Sequence, residues 1–185
     1  MIELVLGGAR SGKSRYALSQ ATVLRDSRQC NGYFVATATA SDDEMAERIR
    51  RHQQERDAGW QTLEADISLA GTLRTIPSFP GAGKSTACRN VVVVDCLTLW
   101  MSNLLHHVTM EQAEREVDGL VAALVDMPFD LFIVSNEIGS GIVPLGQLSR
   151  QFVDLAGFTH QRVAEIADRV TLVMAGCPLA LKSQC

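Results

Sequence analysis

The run Ile2-Glu3-Leu4-Val5-Leu6-Gly7-Gly8-Ala9-Arg10-Ser11-Gly12-Lys13-Ser14 decides the fold. Ile2 to Leu6 is a short, almost continuously apolar run, the pattern of a strand buried on both faces. Gly7 to Ser14 then fits G-x-x-x-x-G-K-[ST], and Ser14 to Leu24 is compatible with a helix. Strand, glycine-rich turn and helix in that order form a phosphate-binding loop. The glycines let the backbone curl until successive N–H groups converge on phosphate oxygens at a helix N-terminus. Gly7, Gly8, Ala9, Arg10, Ser11, Gly12, Lys13 and Ser14 are therefore the candidate triphosphate cradle. Lys13 is positioned to reach the β and γ phosphates, and the Ser14 hydroxyl to bind Mg²⁺.

Further along, Val91-Val92-Val93-Val94-Asp95 is a second buried strand ending in a carboxylate. An Asp so placed lies beside the phosphate loop and holds Mg²⁺ directly or through water, so Asp95 joins Ser14 as a candidate metal ligand. Ligands of open α/β sheets bind at the carboxyl ends of the strands, which brings Thr37 and Asn136 to the same rim. Ser78-Phe79-Pro80-Gly81-Ala82-Gly83-Lys84-Ser85 also ends in Gly-Lys-Ser but lacks the first glycine, a preceding strand and a following helix. It reads as an unrelated loop.

Tyr33 to Ala36, Leu131 to Val134 and Val170 to Met174 repeat the doubly buried pattern. Runs of this kind alternating with longer amphipathic segments predict an α/β fold, a mostly parallel sheet flanked by helices. Ser41-Asp42-Asp43-Glu44 is a capping box that starts a helix over Asp42 to Arg56. Thr109-Met110-Glu111-Gln112 repeats the device ahead of a helix ending near Met127-Pro128, and Gly146 to Asp168 carries another helical pattern. Ser68 to Asn90 reads as a helix remnant followed by an irregular surface loop.

The chain has 185 residues, near one domain on length, and residues 1–185 are expected to form a single unit with a full core. Seventeen Lys and Arg against twenty-one Asp and Glu give a net charge of -4, which argues against a nucleic-acid partner. No apolar run approaches the roughly 20 residues of a membrane span. The five cysteines, Cys30, Cys88, Cys96, Cys177 and Cys185, are odd in number and form no C-x-x-C pair. Free thiols in a cytoplasmic protein are the expectation.

On the helix from Asp42 to Arg56, Met45, Ile49 and His52 share one face, opposite a charged stripe of Glu47, Arg50, Arg51 and Glu55. An inward-facing histidine is either a core residue satisfied by one hydrogen bond or a nucleophile. A neutral imidazole nitrogen attacks phosphorus to form a phosphoramidate, and its near-neutral pKa leaves the free base available at pH 7. His106 and His107 have no carboxylate or cysteine at metal-ligand spacing and read as surface or helix-end residues.

Several stretches go beyond a generic phosphate loop. Gly7 to Arg15, Ala36-Thr37 followed by Asp42-Asp43-Glu44-Met45, Arg48-Ile49 with His52, and Trp60 with Thr62 and Glu64 resemble the adenosylcobinamide kinase / adenosylcobinamide-phosphate guanylyltransferase family. Asp95-Cys96-Leu97-Thr98-Leu99-Trp100, Ser102 to Leu105, Ser135-Asn136-Glu137, Gly139, Gly141 to Pro144, Ala156-Gly157, Gln161 and Ala175-Gly176 with Pro178 extend the match in order over nearly the whole chain.

The resemblance implies a RecA-like P-loop NTPase fold, a trimeric assembly and two reactions. One phosphorylates adenosylcobinamide with a nucleoside triphosphate, ATP or GTP. The other transfers GMP from GTP to adenosylcobinamide phosphate through a covalent guanylyl-histidine. On this resemblance His52 is the nucleophile and Lys13 serves the triphosphate. Ala36, Thr37, Ala38, Glu64 and Asp95 then lie at the nucleotide, with Glu64 near the guanosine. A carboxylate suits guanine, whose N1–H and N2–H₂ are adjacent donors. A plain small-molecule kinase with a structural His52, or a GTP-binding regulator, are the competing readings. The chain departs from the family pattern at Phe158-Thr159-His160, where an Arg and an Asn are usual before the Gln, and at Asp57, often a proline.

Overall fold

The computed structural model describes residues 1–38, 58–78 and 89–183, together with Glu47. Each doubly apolar run is a strand: β1 Ile2–Gly7, β2 Gly32–Ala36, β4 Val91–Asp95, β5 Asp130–Asn136 and β6 Arg169–Met174. Two further strands, β3 Trp60–Glu64 and β7 Cys177–Lys182, complete a seven-stranded sheet of order β3-β2-β4-β5-β1-β6-β7. β3 to β6 run parallel along this order, and only β7 is antiparallel, joined to β6 by a hairpin. The helices are α1 Lys13–Arg28, α2 Leu69–Thr75, α3 Leu97–His107, α4 Met110–Leu124 and α5 Gln147–Ile166. The mostly parallel sheet with flanking helices is the α/β architecture expected from the sequence. Among the described residues no helix is long and apolar enough to cross a membrane.

The two-residue period of a strand explains why these runs are apolar at every position. Val92 and Val94 of β4, with Leu131 and Ile133 of β5, face one cluster that also takes in Leu73 of α2, Trp100 and Leu104 of α3, Leu120 of α4 and Val163 of α5. Val91, Val93, Phe132 and Val134 face the other side, where Ala17 and Ala21 of α1 lie against them. Alanines on that helix bring its backbone close to the sheet. Burying each of these valine, leucine or phenylalanine side chains contributes about 1.5–3 kcal/mol.

α4 starts as the capping box predicts: the Thr109 hydroxyl accepts from the Gln112 N–H, and Gln112 Oε1 accepts from the Thr109 N–H at 3.0 Å. α5 spans the expected Gly146 to Asp168 segment, and α2 is the helix remnant expected after Ser68. The capping box at Ser41, the rest of the helix with His52, and residues 79–88 lie outside the described residues; Glu47 is helical. Cys30, Cys96 and Cys177 are free thiols, as expected.

Candidate nucleotide site at the carboxyl ends of the strands

Gly7 ends β1, and the chain turns through Gly8 to Gly12 into α1. The turn needs left-handed backbone at two positions, Arg10 with φ of 57° and Gly12 with φ of 96°. Glycine adopts this conformation without cost, and it pairs Gly12 closely with Gly176 of the β6–β7 hairpin. The Gly176 N–H donates to the Ser11 carbonyl at 2.8 Å, so the hairpin braces the loop from the side. Gly7 has no room for a side chain, whereas Gly8, Ala9 and Arg10 are exposed, and Ser14 is half-buried at the start of the helix. The first turn of α1 carries no acidic residue, leaving its N-terminal amides available to an anion.

Lys13 is 8% exposed, and its ammonium donates to the Gly8 carbonyl at 3.1 Å. Burial lowers its pKa below the ordinary 10.5, partly offset by Cys96 and Asp95. Among the described residues no carboxylate lies in ion-pair contact with it. A cation held this way, curled over an amide-lined loop, has much to gain from an anion placed in the loop.

β5 lies between β1 and β4, so the Asp95 strand is separated from the loop strand by one neighbour. The carboxyl ends nevertheless meet. In register, Ala36 stands beside Glu64 on one side and Asp95 on the other, and Asp95 stands beside Val134. Ala36, Glu64 and Asp95 thus form one row across the sheet, which continues through Val134 and Val5, while Gly7 and Asn136 pair beyond it toward the carboxyl ends of their strands. Glu64 is exposed and Asp95 half-buried.

Thr37, fully buried, ties this row together. Its hydroxyl donates to the Cys96 carbonyl and accepts from the Cys96 N–H, each at 2.7 Å. The amide of Asn103 on α3 donates to the Thr37 and Asp66 carbonyls at 2.8 and 3.3 Å. The exits of β2, β3 and β4 are therefore bonded to one another, with Ala38 next along the chain. Burial, reinforced by Asp95, pushes the Cys96 thiol up to about 12.

A second polar group at this end was not legible in the sequence. Thr98 Oγ1 accepts from the Asn136 N–H at 2.6 Å and lies 3.0 Å from Ser135 Oγ, which is 2.7 Å from His160 Nε2. These residues come from α3, β5 and α5 and are 25 to 38 positions apart in pairs. His160 drew attention only as a departure from a family pattern. Burial lowers its pKa below 6.5, partly offset by Glu137. His106 and His107 are exposed at the end of α3, as expected. The expected nucleophile, His52, falls outside the described residues.

The sequence comparisons agree with this geometry. The model of the family described as cobinamide kinase / cobinamide phosphate guanyltransferase matches residues 3–181. The chain is 45% identical over 186 residues to the bifunctional adenosylcobalamin biosynthesis protein CobP of Pseudomonas aeruginosa, covering 100% of this chain and 99% of the relative. It is 37% identical to the bifunctional adenosylcobalamin biosynthesis protein CobU of Salmonella typhimurium, covering 98% of this chain and all of the relative. Among solved structures, a KaiC-like protein of Pyrococcus horikoshii aligns with a TM-score of 0.49 at 13% identity, over 92% of this chain and 69% of that one. A match along nearly the full length, through the phosphate loop and the strand ends, places this chain in the cobinamide kinase / cobinamide phosphate guanyltransferase family.

Proposed function

We propose that residues 1–185 act as one domain that phosphorylates adenosylcobinamide with ATP or GTP and then transfers GMP from GTP to the resulting phosphate. Both steps use one nucleotide site. The observation that carries this reading is the buried Lys13, folded over the phosphate loop at the head of α1 and electrostatically coupled to Asp95 at the end of β4.

The loop amides from Gly8 to Ser14 bind and orient the triphosphate, and Lys13 exchanges the Gly8 carbonyl for phosphate oxygens. The Ser14 hydroxyl and Asp95 carboxylate are hard oxygen donors of the kind Mg²⁺ takes, and they would hold it. When bound, the ion neutralises charge on the phosphates. Ala36, Thr37, Ala38 and Glu64 line the same rim, with Glu64 available to the guanine donors.

In the guanyltransferase step a neutral His52 nitrogen attacks the α-phosphorus of GTP. The N–P bond forms as the bond to the bridging oxygen breaks, and pyrophosphate leaves with that electron pair. A phosphate oxygen of adenosylcobinamide phosphate then attacks the same phosphorus, the N–P bond breaks, and free imidazole is restored. Lys13 stabilises the negative charge on the departing pyrophosphate.

Assembly as a cytoplasmic homotrimer is part of the same proposal. Ile142, Val143 and Leu145, in the segment before α5, are exposed, as are Leu148 and Phe158 on the helix itself. Exposed large apolar side chains of this kind are suited to burial between subunits.

Mass spectrometry after incubation with GTP and Mg²⁺ tests the mechanism. A GMP adduct on His52, absent from His52→Ala, is expected, and an α-label should remain on the protein where a γ-label does not. An unmodified chain that still makes the GDP derivative would refute the covalent step. Lys13→Ala should impair both reactions.

A further inference from the structure

We propose that His160 is a positioning residue for the nucleotide site: through Ser135 and Thr98, its imidazole holds the carboxyl end of β5 against the phosphate loop. The proposal rests on the functional reading above only in taking that loop as the site of both reactions.

β5 is apolar from Leu131 to Val134, and Ser135, which follows, is completely buried. A buried hydroxyl costs free energy unless its hydrogen bonds are made. Here they are made in a line. The Asn136 N–H donates to Thr98 Oγ1 at 2.6 Å, Thr98 Oγ1 meets Ser135 Oγ at 3.0 Å, and Ser135 Oγ meets His160 Nε2 at 2.7 Å. The next residue, Glu137, donates its N–H to the carbonyl of Gly7 at 3.1 Å, and Gly7 begins the phosphate loop. Asn136 is itself the register partner of Gly7. The line therefore joins α5 and the first turn of α3, just past Asp95, to the backbone that carries the loop.

In the proposed arrangement the line runs one way. Thr98 Oγ1 receives the Asn136 N–H, donates its own proton to Ser135, and Ser135 donates its proton to Nε2. Nε2 is then the acceptor, with the remaining proton on Nδ1. Burial favours this neutral form, and Glu137, the charged group acting on the ring from the end of β5, only partly opposes it. The neighbours supplied by α3 and β5, Thr98 and Ser135, are uncharged hydroxyls. Protonation turns Nε2 into a donor and reverses both hydroxyls. Thr98 then receives two protons and has to find a new acceptor for its own, which loosens its hold on Asn136.

The test compares wild type, His160→Ala and His160→Gln. Each is assayed for thermal stability, for GTP affinity by calorimetry, and for the cobinamide kinase step, which does not need the His52 nucleophile. Alanine cannot bond Ser135, and a loop displaced by a fraction of an ångström should lower kcat/KM between about tenfold and a hundredfold and weaken GTP binding. Glutamine carries its amide to the position of Nε2, within reach of Ser135, and should restore most of both. Wild type should also lose kinase activity as the pH falls below 6.5, and the His160→Gln variant should lack that acid limb. A folded His160→Ala protein with wild-type GTP affinity and kcat/KM would overturn the proposal. So would a His160→Gln protein that is as impaired as Ala or keeps the acid limb. Should His160→Ala fail to fold, the glutamine variant and its pH profile decide alone. Wild type without cobinamide-dependent turnover would instead refute the functional reading, and the GTP affinities of the variants would still judge His160.

Discussion

Replacing Gly7 with alanine puts a methyl group where the structure has no space. A Cβ built there would lie 2.4 Å from Ser11 Oγ and 2.5 Å from the carbonyl oxygen of Val173. Ser11 can rotate, and among the described residues its hydroxyl has no hydrogen-bond partner to lose. The Val173 carbonyl cannot move so easily, because it belongs to β6, which is paired with β1 from Glu3 to Leu6. Relief therefore requires a shift between two central strands, and overpacking of this type costs about 1–3 kcal/mol. For a chain this size about 2–4 °C of melting temperature goes with each kcal/mol, so Gly7→Ala should melt about 2–12 °C lower. Gly8 is the internal control: nothing lies within 4 Å of its built Cβ, and Gly8→Ala should stay within about 0.5 kcal/mol of wild type. Adding Ser11→Ala to Gly7→Ala should recover only part of the loss, since the carbonyl clash remains. Calorimetry without nucleotide measures all four proteins. A Gly7→Ala protein that melts with wild type would refute the steric argument for the loop.

Thr37→Val keeps the shape but strips both Thr37 bonds from Cys96; the carbonyl keeps the Trp100 N–H at 3.2 Å, while the buried Cys96 N–H is left unpaired at about 1–3 kcal/mol, so urea unfolding should show a lower midpoint with an unchanged slope. The Cys96 thiol, buried and pushed up to about 12, should resist alkylation at pH 8 in the native protein and react once denaturant is added, while the exposed Cys177 is modified at once, as peptide mass mapping would report. The lowered pKa of His160 means that below pH 6.5 the unfolded chain binds a proton the folded chain resists, so stability rises with pH across that interval. Melting temperature should thus fall from pH 7 toward pH 5 more steeply in wild type than in His160→Gln, and equal pH slopes would contradict this.

The strands legible in the sequence are those buried on both faces. Val91 to Val94 has no polar residue to hide because α1 covers one side of β4 and α3 with its neighbours the other. β3 and β7 escaped the reading for the converse reason. β3, at the sheet edge, buries Trp60 and half-buries Leu63 but leaves Gln61, Thr62 and Glu64 exposed, and every residue of β7 is exposed, so neither carries a continuous apolar run. β7 matters all the same, since the hairpin leading into it braces Ser11.

The phosphate loop was readable because its chemistry is local. Eight consecutive residues supply the glycines, the lysine and the hydroxyl, and the flanking strand and helix set their direction. Capping at Thr109 was readable for the same reason, a bond between residues three apart. What joins Thr37 to Cys96, Asn103 to Asp66, and Asn136 through Thr98 and Ser135 to His160 could not be read so. Those partners lie 25 to 59 positions apart and meet only because the parallel strands end in register on one side of the sheet. Sequence alone determined the type of sheet and the loop that holds phosphate. Tertiary structure decided which side chains stand around that loop, because hydrogen bonds act over about 3 Å while the chain between these residues runs through whole strands and helices.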